Sequence, residues 1–439
     1  MAELPSASSP NLILDHPTSH ERSQTWTLNA KSWGGALSLP DYLEREEYLM
    51  NIPATRDGGV TRKFKLIFSA QHPVVLPRKS SSRLKTFLPL HYPAKPRQGT
   101  KKLTLFTTDW ILTDSSLPAD SRPLLSSCES LRRRALLAHP SDTIEESITH
   151  GIGSVFCPPA YRGRGYASRM LTLVGSALKS WQKEVGTCHF SILYSDIGKK
   201  YYTGLGWDVF PSSHVYLPPA AFASPAAATN RNGTNGTHRS AAKELYDGDL
   251  EELCKLDEEY VKALTLKTAK KTNKPAVALL PDHQTMQWHH LREAFVCSKL
   301  FPSRAPPAIR GAISSGEVGS RVWIIFTRVF YGPIGKVESG NTLYILRLVV
   351  EDESDTEENA KKLKGVLSIA QREAKEWRSN GVSVWNVNED IKKLLRRADV
   401  QHDEIDREED SICQLRWYGE GEGGVENLEW VVCEKFGWC

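Results

Sequence analysis

The segment from residue 147 to residue 181 constrains the fold most, because it joins an apolar strand pattern to an amphipathic helix through a turn of glycines and arginines. Residues 147–157, "SITHGIGSVFC", are short, apolar and β-branched, which is typical of a strand. Apolar residues then recur at helical spacing from Tyr166 to Trp181, which predicts a helix of about 16 residues. A strand–turn–helix unit is therefore expected here.

The turn itself has the composition of an anion site. Unpaired N–H groups at a helix N-terminus and the positive end of the helix dipole attract negative charge. Gly163 and Gly165 allow close approach of the backbone, and Arg162 and Arg164 add positive charge. The spacing is not that of a nucleoside-triphosphate loop. A pyrophosphate ligand is predicted, and a solvated glycine turn is the simpler alternative.

A second motif follows in residues 190–211, "FSILYSDIGKKYYTGLGWDVFP". The pattern R-x-x-G-x-A of Arg162, Gly165 and Ala167, followed by Y-Y-x-G-L-G-W, resembles the acetyl-CoA site of the GNAT superfamily of N-acetyltransferases. The longer phrases "HGIGSVFCPPAYRGRGYASRM" and "LYSDIGKKYYTGLGW" are similar to the fungal lysine N6-acetyltransferase family of lysine catabolism. The resemblance covers most of the chain and implies acetyl-CoA as co-substrate, with no metal.

The resemblance also implies roles for single residues. Backbone N–H groups of Val155 and Cys157 are expected to stabilise the developing oxyanion. Tyr202 matches the tyrosine that protonates the CoA thiolate. Ser195 stands where many of these enzymes have an asparagine that contacts the pantetheine arm.

The general base is a separate prediction. A lysine amine arrives protonated, with an ordinary pKa of about 10.4, so a base must remove a proton before attack. His150 is the candidate, because a neutral imidazole suits this task near pH 7; a structural histidine is the alternative. Trp33, Asp41 and Glu44 lie where GNAT folds place substrate-contacting helices, and ordinary helix surface is the alternative.

Length and composition predict two domains. A chain of 439 residues exceeds the usual size of one hydrophobic core. Residues 218–243 have linker composition, so residues 1–217 are predicted to form a GNAT acetyltransferase domain and residues 244–439 a GNAT-like domain. The second carries "EDESDTEE", residues 351–358, where a pyrophosphate cradle should be. The expected fold class is α/β with mixed sheets, in tandem GNAT-like domains of which the C-terminal one is degenerate.

Residues 60–108 depart from the pattern, because they are basic and Pro-rich and contain no Asp or Glu. A segment of this length inside a domain needs a special explanation. We hypothesise a retained intron; a functional insertion and a disordered loop are the alternatives.

Other classes of protein fit poorly. A net charge of +4 with interspersed charges offers no basic face for nucleic acid, and no run suits a membrane span. The eight cysteines have no C-x-x-C spacing, and His289–His290 lacks a zinc motif, so core or interface packing is expected for that pair. Composition predicts a cytoplasmic protein, and the resemblance implies an enzyme of fungal type that acetylates the N6-amine of free L-lysine. Acetylation of a protein lysine or another small amine, and a CoA-binding scaffold, are the alternatives.

Overall fold

The computed structural model describes residues 4–52, 105–220, 242–421 and 423–438. The helices are α1 (Ser19–Trp33), α2 (Leu39–Asn51), α3 (Tyr166–Leu178), α4 (Lys200–Thr203), α5 (Asp247–Thr272), α6 (His283–Leu300), α7 (Glu357–Glu376) and α8 (Glu389–Arg397). The strands are β1 (Leu12–Asp15), β2 (Phe106–Asp114), β3 (Ser126–His139), β4 (Thr143–Phe156), β5 (Cys188–Ser195), β6 (Asp208–Val209), β7 (Ser213–Leu217), β8 (Ala242–Leu245), β9 (Ala276–Leu279), β10 (Gly311–Ser314), β11 (Val322–Val329), β12 (Thr342–Val350), β13 (Gly381–Trp385), β14 (Asp403–Asp406), β15 (Ile412–Trp417) and β16 (Glu429–Val431).

The described strands form two mixed sheets. The first has the order β1-β2-β3-β4-β5-β15-β6, and β9 joins it by pairing with both β3 and β16. The second has the order β14-β7-β13-β12-β11-β10-β8. In each sheet one helix connects two neighbouring parallel strands: α3 joins β4 to β5, and α7 joins β12 to β13; β9 and β16 of the first sheet are also parallel. The expected mixed α/β class is confirmed.

Helices cover one face of each sheet, and the other faces share a core. Met170 and Val174 of α3 pack against Trp110 and Leu112 of the first sheet. Residues of α7 pack in the same way against the second sheet. A third cluster contains residues of both sheets, among them Phe190 and Ile325. The two sheets are therefore held together by buried apolar surface, the main favourable term in folding.

The local predictions around the glycine turn are confirmed. β4, the turn and α3 follow one another in the expected order. The helix is shorter than expected, because α3 ends at Leu178 and Gln182 adopts a left-handed backbone with φ +60°. The turn around Gln182 therefore stops the helix before the apolar pattern ends.

The expected composition of the second sheet is wrong in one respect. The assignment of residues 244–439 to a domain of their own predicts that the last two strands, in "ICQLRWYG" and "LEWVVCEKF", join the second sheet, but β15 pairs with β5 and β6 of the first sheet, and β16 pairs with β9 there. Conversely, β7 belongs to the N-terminal half of the chain but pairs with β13 and β14 of the second sheet. Strands are thus exchanged across the predicted boundary.

The domain assignment itself stays a prediction. Residues 221–241 of the expected linker, and residues 60–104 of the expected insert, lie outside the described residues. The last residues assigned to the insert, Phe106–Thr108, begin β2 and pair with Ser130–Arg132 of β3.

Candidate functional site

The parallel strands β4 and β5 separate at their C-terminal ends. They pair as far as Ile152 and Leu193, and no pair follows between the residues described there. Against β3, the register passes from Glu129–Gly153 to Ser127–Phe156, so that two residues of β4 oppose one of β3. This is a β-bulge, which bends the strand locally. It places Ser154 in a left-handed conformation, φ +52°, beside Val155.

The glycine turn lies at the N-terminus of α3. Gly163 and Gly165 have φ of +75° and +82°, which a residue with a Cβ rarely adopts. The first α-helical bond runs from the N–H of Arg169 to the carbonyl of Gly165, so the N–H groups of Tyr166, Ala167 and Ser168 precede the ladder. A Cβ built on Gly163 meets no atom within 4 Å. The turn is therefore open at Gly163, whereas a Cβ built on Gly165 meets Cβ of Ala7 at 3.3 Å. Backbone donors beside the open space at Gly163 suit a phosphate group.

Both arginines of the turn are exposed. Arg162 donates from Nε to the carbonyl of Cys157 at 3.0 Å, and its guanidinium lies 5.7 Å from the centre of the Phe156 ring. This bond ties the turn back to the end of β4 while the two terminal nitrogens keep their donors. Cys157 donates its thiol to the carbonyl of Leu125 at 3.5 Å, and burial raises its pKa. Arg164 extends the positive charge beside the turn.

Ser195, at the end of β5, is buried and already bonded. Its hydroxyl donates to the carbonyl of Gly198 at 2.7 Å and accepts from the N–H of Ile197 at 3.3 Å. These bonds stabilise the turn that leads into α4. The pantetheine contact predicted for this hydroxyl stays a prediction.

Tyr202 lies on α4 and is 8% exposed. Burial, followed by the nearby Tyr201, raises its pKa well above the ordinary value, so the phenol keeps its proton near neutral pH. The N–H of Trp207 bonds to the carbonyl of Tyr202 at 3.1 Å, and Gly206 closes the turn with φ +92°. The structure thus presents a protonated hydroxyl, the form that an acid requires.

A strand from the C-terminal half supports this tyrosine. Gln414 of β15 donates to the carbonyl of Lys199, to the hydroxyl of Thr203 and to the carbonyl of Trp207, each at 3.1 Å. These three acceptors lie around α4. The exchange of β15 into the first sheet therefore helps to position the predicted acid.

A cavity of about 170 Å³ opens between the separated strands. Gly153, Ser154 and Val155 of β4 line it, together with Tyr202 of α4. Aromatic side chains form much of the remaining wall: Trp26, Trp33, Tyr42, Tyr194, Trp288 and Trp438. Because ligand pockets for drug-sized molecules are roughly 300–1,000 Å³, this volume suits a small amine or a single side chain.

Glu129 of β3 is the most perturbed acid on the cavity wall. Burial and, after it, the charges of Glu46 and Asp109 raise the pKa of this carboxyl to about 8, against the opposing effect of a hydrogen bond from Ser154. A carboxyl group with a pKa near the working pH is suited to accept a proton. Its partner Ser154 belongs to the bulge, so the group lies beside the separated strands.

His150 has a different position. It pairs with Arg132 and Ser191 inside the sheet, is 1% exposed and lies next to Trp181, beyond the C-terminal end of α3. Val155 comes five residues later, roughly 16 Å along an extended strand. Burial lowers the pKa of His150 to about 4. Its role as base stays a prediction, whereas the geometry favours Glu129.

Sequence reasoning missed several wall residues. Glu129 is the one carboxylate of the stretch "SSCESLRRRALLAH", a signal that could have marked it. Arg292 lies two residues after the His289–His290 pair, of which only the histidines were considered as candidate ligands. The histidines bond through Nε2 to the carbonyls of Phe436 and Phe326, and burial lowers both pKa values strongly. These contacts fix α6 in place.

Of the helix residues considered as substrate contacts, Trp33 lies on the cavity wall. Asp41 and Glu44 instead pair with Lys299 of α6, at 3.3 and 2.6 Å. They join two helices at the surface, as the simpler alternative predicted.

The C-terminal half lacks an equivalent anion site at α7. Glu357 and Glu358 occupy the first turn of this helix, and the side chain of its N-cap Thr356 accepts from the N–H of Asn359. Their negative charge repels a pyrophosphate. Acidic residues thus stand where the first half has glycine and arginine.

Across the described ranges, no cluster of three or more His, Cys, Asp or Glu side chains could hold a metal ion. No helix of the described part is long and apolar enough to cross a bilayer.

Comparison with known families identifies a class for the C-terminal part. Residues 221–439, just under half of the chain, match the family described as "LYC1 GNAT-like C-terminal domain". The turn at α3 and Tyr202 lie outside this match, whereas β15 and Arg292 lie inside it.

Two curated relatives extend the likeness. An uncharacterized protein of Saccharomyces cerevisiae, YGR111W, is 28% identical over 287 residues, which are 62% of this chain and 62% of the relative. A protein of Yarrowia lipolytica named "Lysine acetyltransferase" is 26% identical over 221 residues, 43% of this chain and 54% of the relative. The chain therefore spans less than two thirds of the length of both relatives.

Solved structures of similar arrangement include a probable N-acyltransferase of Enterococcus faecalis V583, with TM-score 0.47 and 11% identity, covering 92% of this chain and 72% of that one. A GCN5-related N-acetyltransferase of Kribbella flavida has TM-score 0.46 and 13% identity, covering 92% and 71%.

Proposed function

We propose that this protein is an acetyl-CoA-dependent N-acetyltransferase whose acceptor is the N6-amine of free L-lysine. One observation supports the transferase proposal: Ser154 and Val155 of the bulge and the hydroxyl-bearing Tyr202 line one cavity where β4 and β5 separate, and the glycine turn follows β4 at the N-terminus of α3. The relative named "Lysine acetyltransferase" supports lysine as the acceptor.

The glycine turn is the proposed binding site of the CoA pyrophosphate. The N–H groups of Tyr166, Ala167 and Ser168 precede the hydrogen-bond ladder of α3, and Arg162 and Arg164 add positive charge. Acetyl-CoA supplies the activated acyl group. The N–H groups of Val155 and Cys157, after the bulge, are the proposed donors to the developing oxyanion.

Glu129 and Tyr202 are the proposed acid–base pair. Glu129 accepts a proton from the acceptor ammonium, directly or through one water, so that the neutral amine can attack. Tyr202 donates its proton to the leaving thiolate. Both groups lie on the wall of the same cavity. Since Glu129 must be ionised to act, activity is expected to rise with pH through about 8.

The test is release of free CoA thiol by the purified protein with acetyl-CoA, comparing L-lysine, ornithine, a lysine-bearing peptide and no acceptor. Turnover on free lysine that falls sharply in Tyr202→Phe and Glu129→Gln supports the proposal. Turnover on the peptide alone refutes the free amino acid as acceptor, and acetyl-CoA binding without turnover points to a scaffold.

A metabolic role follows from the same proposal. Acetylation removes the positive charge of the lysine side chain, and we expect this reaction to be a first step of lysine breakdown in the cytoplasm. A cell that lacks the protein is then expected to grow poorly on lysine as nitrogen source, and normal growth would refute this role.

A further inference from the structure

The cavity between β4 and β5, called the acceptor cavity below, is lined by charged residues that are not all paired with one another. Its charged lining residues are Arg45, Glu46, Asp109, Glu129, Asp196 and Arg292. Most have partners within the protein. Asp109 accepts from Arg22 at 2.6 Å, Arg45 donates from Nε to Glu46 at 2.8 Å, and Asp196 accepts from the N–H of Ser411 at 2.9 Å.

Two other charged groups on the cavity wall have no ion-pair partner in the described ranges. Arg292 makes no hydrogen bond or ion pair with any residue in the described ranges, and Glu129 makes no ion pair there. The bond from Ser154 holds Glu129 at the bulge, whereas the neighbours of Arg292 are Arg45, Glu46 and Tyr42 of α2 and the ring of Trp438. Apart from Asp196, the wall thus has one cation and one acid without an ion-pair partner among the described residues, and the two groups have different surroundings.

The guanidinium of Arg292 is held in position by its helix. The next residue, Glu293, is fully buried and accepts from Arg310 and Arg328 at 2.7 Å each. The centre of the Arg292 guanidinium lies 5.5 Å from the Trp438 ring, a cation–π distance. Because Glu293 anchors α6 and the Trp438 ring contacts the guanidinium, Arg292 is ready to bind without a large loss of freedom.

An unpaired guanidinium beside a cavity favours an anionic ligand. Its two parallel N–H donors match the geometry of a carboxylate. Burial and the charge of Arg45 lower the pKa of Arg292 to about 10, so the group is still charged near neutral pH. A carboxylate from the acceptor would restore the missing partner, whereas a peptide-bound lysine has no carboxylate at this position.

We propose that Arg292 binds the carboxylate of a free amino acid acceptor and so selects it over a simple diamine or a peptide. This inference rests on the proposed transferase function. Arg292 is a binding residue, while Glu129 and Tyr202 carry the proton transfers at the bulge.

The experiment compares three acceptors that share a terminal amine: L-lysine, 6-aminohexanoate, which keeps the carboxylate, and cadaverine, which lacks it. Arg292→Ala is expected to lower kcat/KM for the first two by roughly 10- to 100-fold, mainly through KM, and to change cadaverine by less than about twofold. Arg292→Lys should recover part of the loss. Arg304→Ala, in an arginine just past α6 that pairs with Glu376, is the matched control and should change none of them.

Equilibrium binding of L-lysine and cadaverine to the CoA-loaded protein, by calorimetry, separates the two proposals. Turnover on lysine with equal losses on all three acceptors, or with none, overturns the role of Arg292 and leaves the transferase function standing. Arg292-dependent binding of lysine without turnover supports the carboxylate site and overturns the proposed reaction. Absence of lysine binding to the wild-type protein overturns both. An unchanged affinity of Arg292→Ala for CoA shows that the variant is folded.

Discussion

Replacing Glu129 by glutamine should raise the stability of the protein while it abolishes activity. The carboxyl lies among Glu46 and Asp109, so its ionisation in the folded state is unfavourable. Its pKa rises from the ordinary 4.5 to about 8. A raised carboxyl pKa means that the folded state holds the proton more tightly than the unfolded state, so ionisation costs stability as the pH rises through this window.

The size of the effect follows from the pKa. Each pH unit between 4.5 and about 8 lowers the free energy of unfolding of the protein with Glu129 by about 1.4 kcal/mol. The total loss is at most about 5 kcal/mol above pH 8. Glu129 is only half-buried, so solvent reduces this value to about 2–4 kcal/mol. At pH 5 the folded carboxyl is neutral and nearly isosteric with glutamine, and the pH is only slightly above the ordinary pKa, so the two proteins should differ in stability by less than about 1 kcal/mol.

Urea unfolding at pH 5, 6, 7, 8 and 9, followed by the fluorescence of the 12 tryptophans, measures this difference. The advantage of Glu129→Gln should grow with pH and level off above pH 8. Glu376→Gln, in an exposed pair with Arg304, is the control and should show no such growth. A pH-independent difference, or a glutamine variant that is less stable at pH 9, would refute the assignment of a raised pKa.

Three further experiments, each with its own substitutions, test other parts of the structure. Tyr202→Phe should lower kcat roughly 10²- to 10⁴-fold with unchanged acetyl-CoA affinity; a loss below tenfold would argue against an acid role. Glu293→Gln should cost about 3–5 kcal/mol in urea unfolding, because it removes one carboxylate partner from each of two buried arginines, Arg310 and Arg328, which keep only Asp247 and Glu373. The exposed Glu376→Gln should cost at most about 1 kcal/mol; equal losses would contradict the buried network. Gly311→Val should destabilise the protein strongly, since an added Cβ meets a neighbouring strand's carbonyl oxygen at 2.1 Å. Gly248→Ala, in open space at the start of α5, should raise the free energy of unfolding by about 0.5–1 kcal/mol. The reverse order of melting temperatures would contradict this description of the two glycines.

Local patterns predicted the local structure around the turn. The apolar run of β4, the positive-φ glycines and the helical spacing of α3 all act over a few residues, so their physical requirements are visible in the chain. The apolar residues of α7 have the same helical spacing and pack into the core of the second sheet. Sequence motifs alone also marked Tyr202 and the turn of Arg162.

The partners of those elements depended on contacts between distant residues. Nothing in "ICQLRWYG" indicates that β15 leaves its own half and supports α4 through Gln414, because a strand pattern specifies a buried face and leaves the neighbouring strand open.

The sequence by itself determined the strand–turn–helix unit, the candidate anion turn and the mixed α/β class, because each follows from short-range backbone and periodicity constraints. The tertiary structure alone decided which acid and which cation line the acceptor cavity. Glu129 and Arg292 are far apart in the chain, and their chemistry comes from burial and from the charges packed beside them.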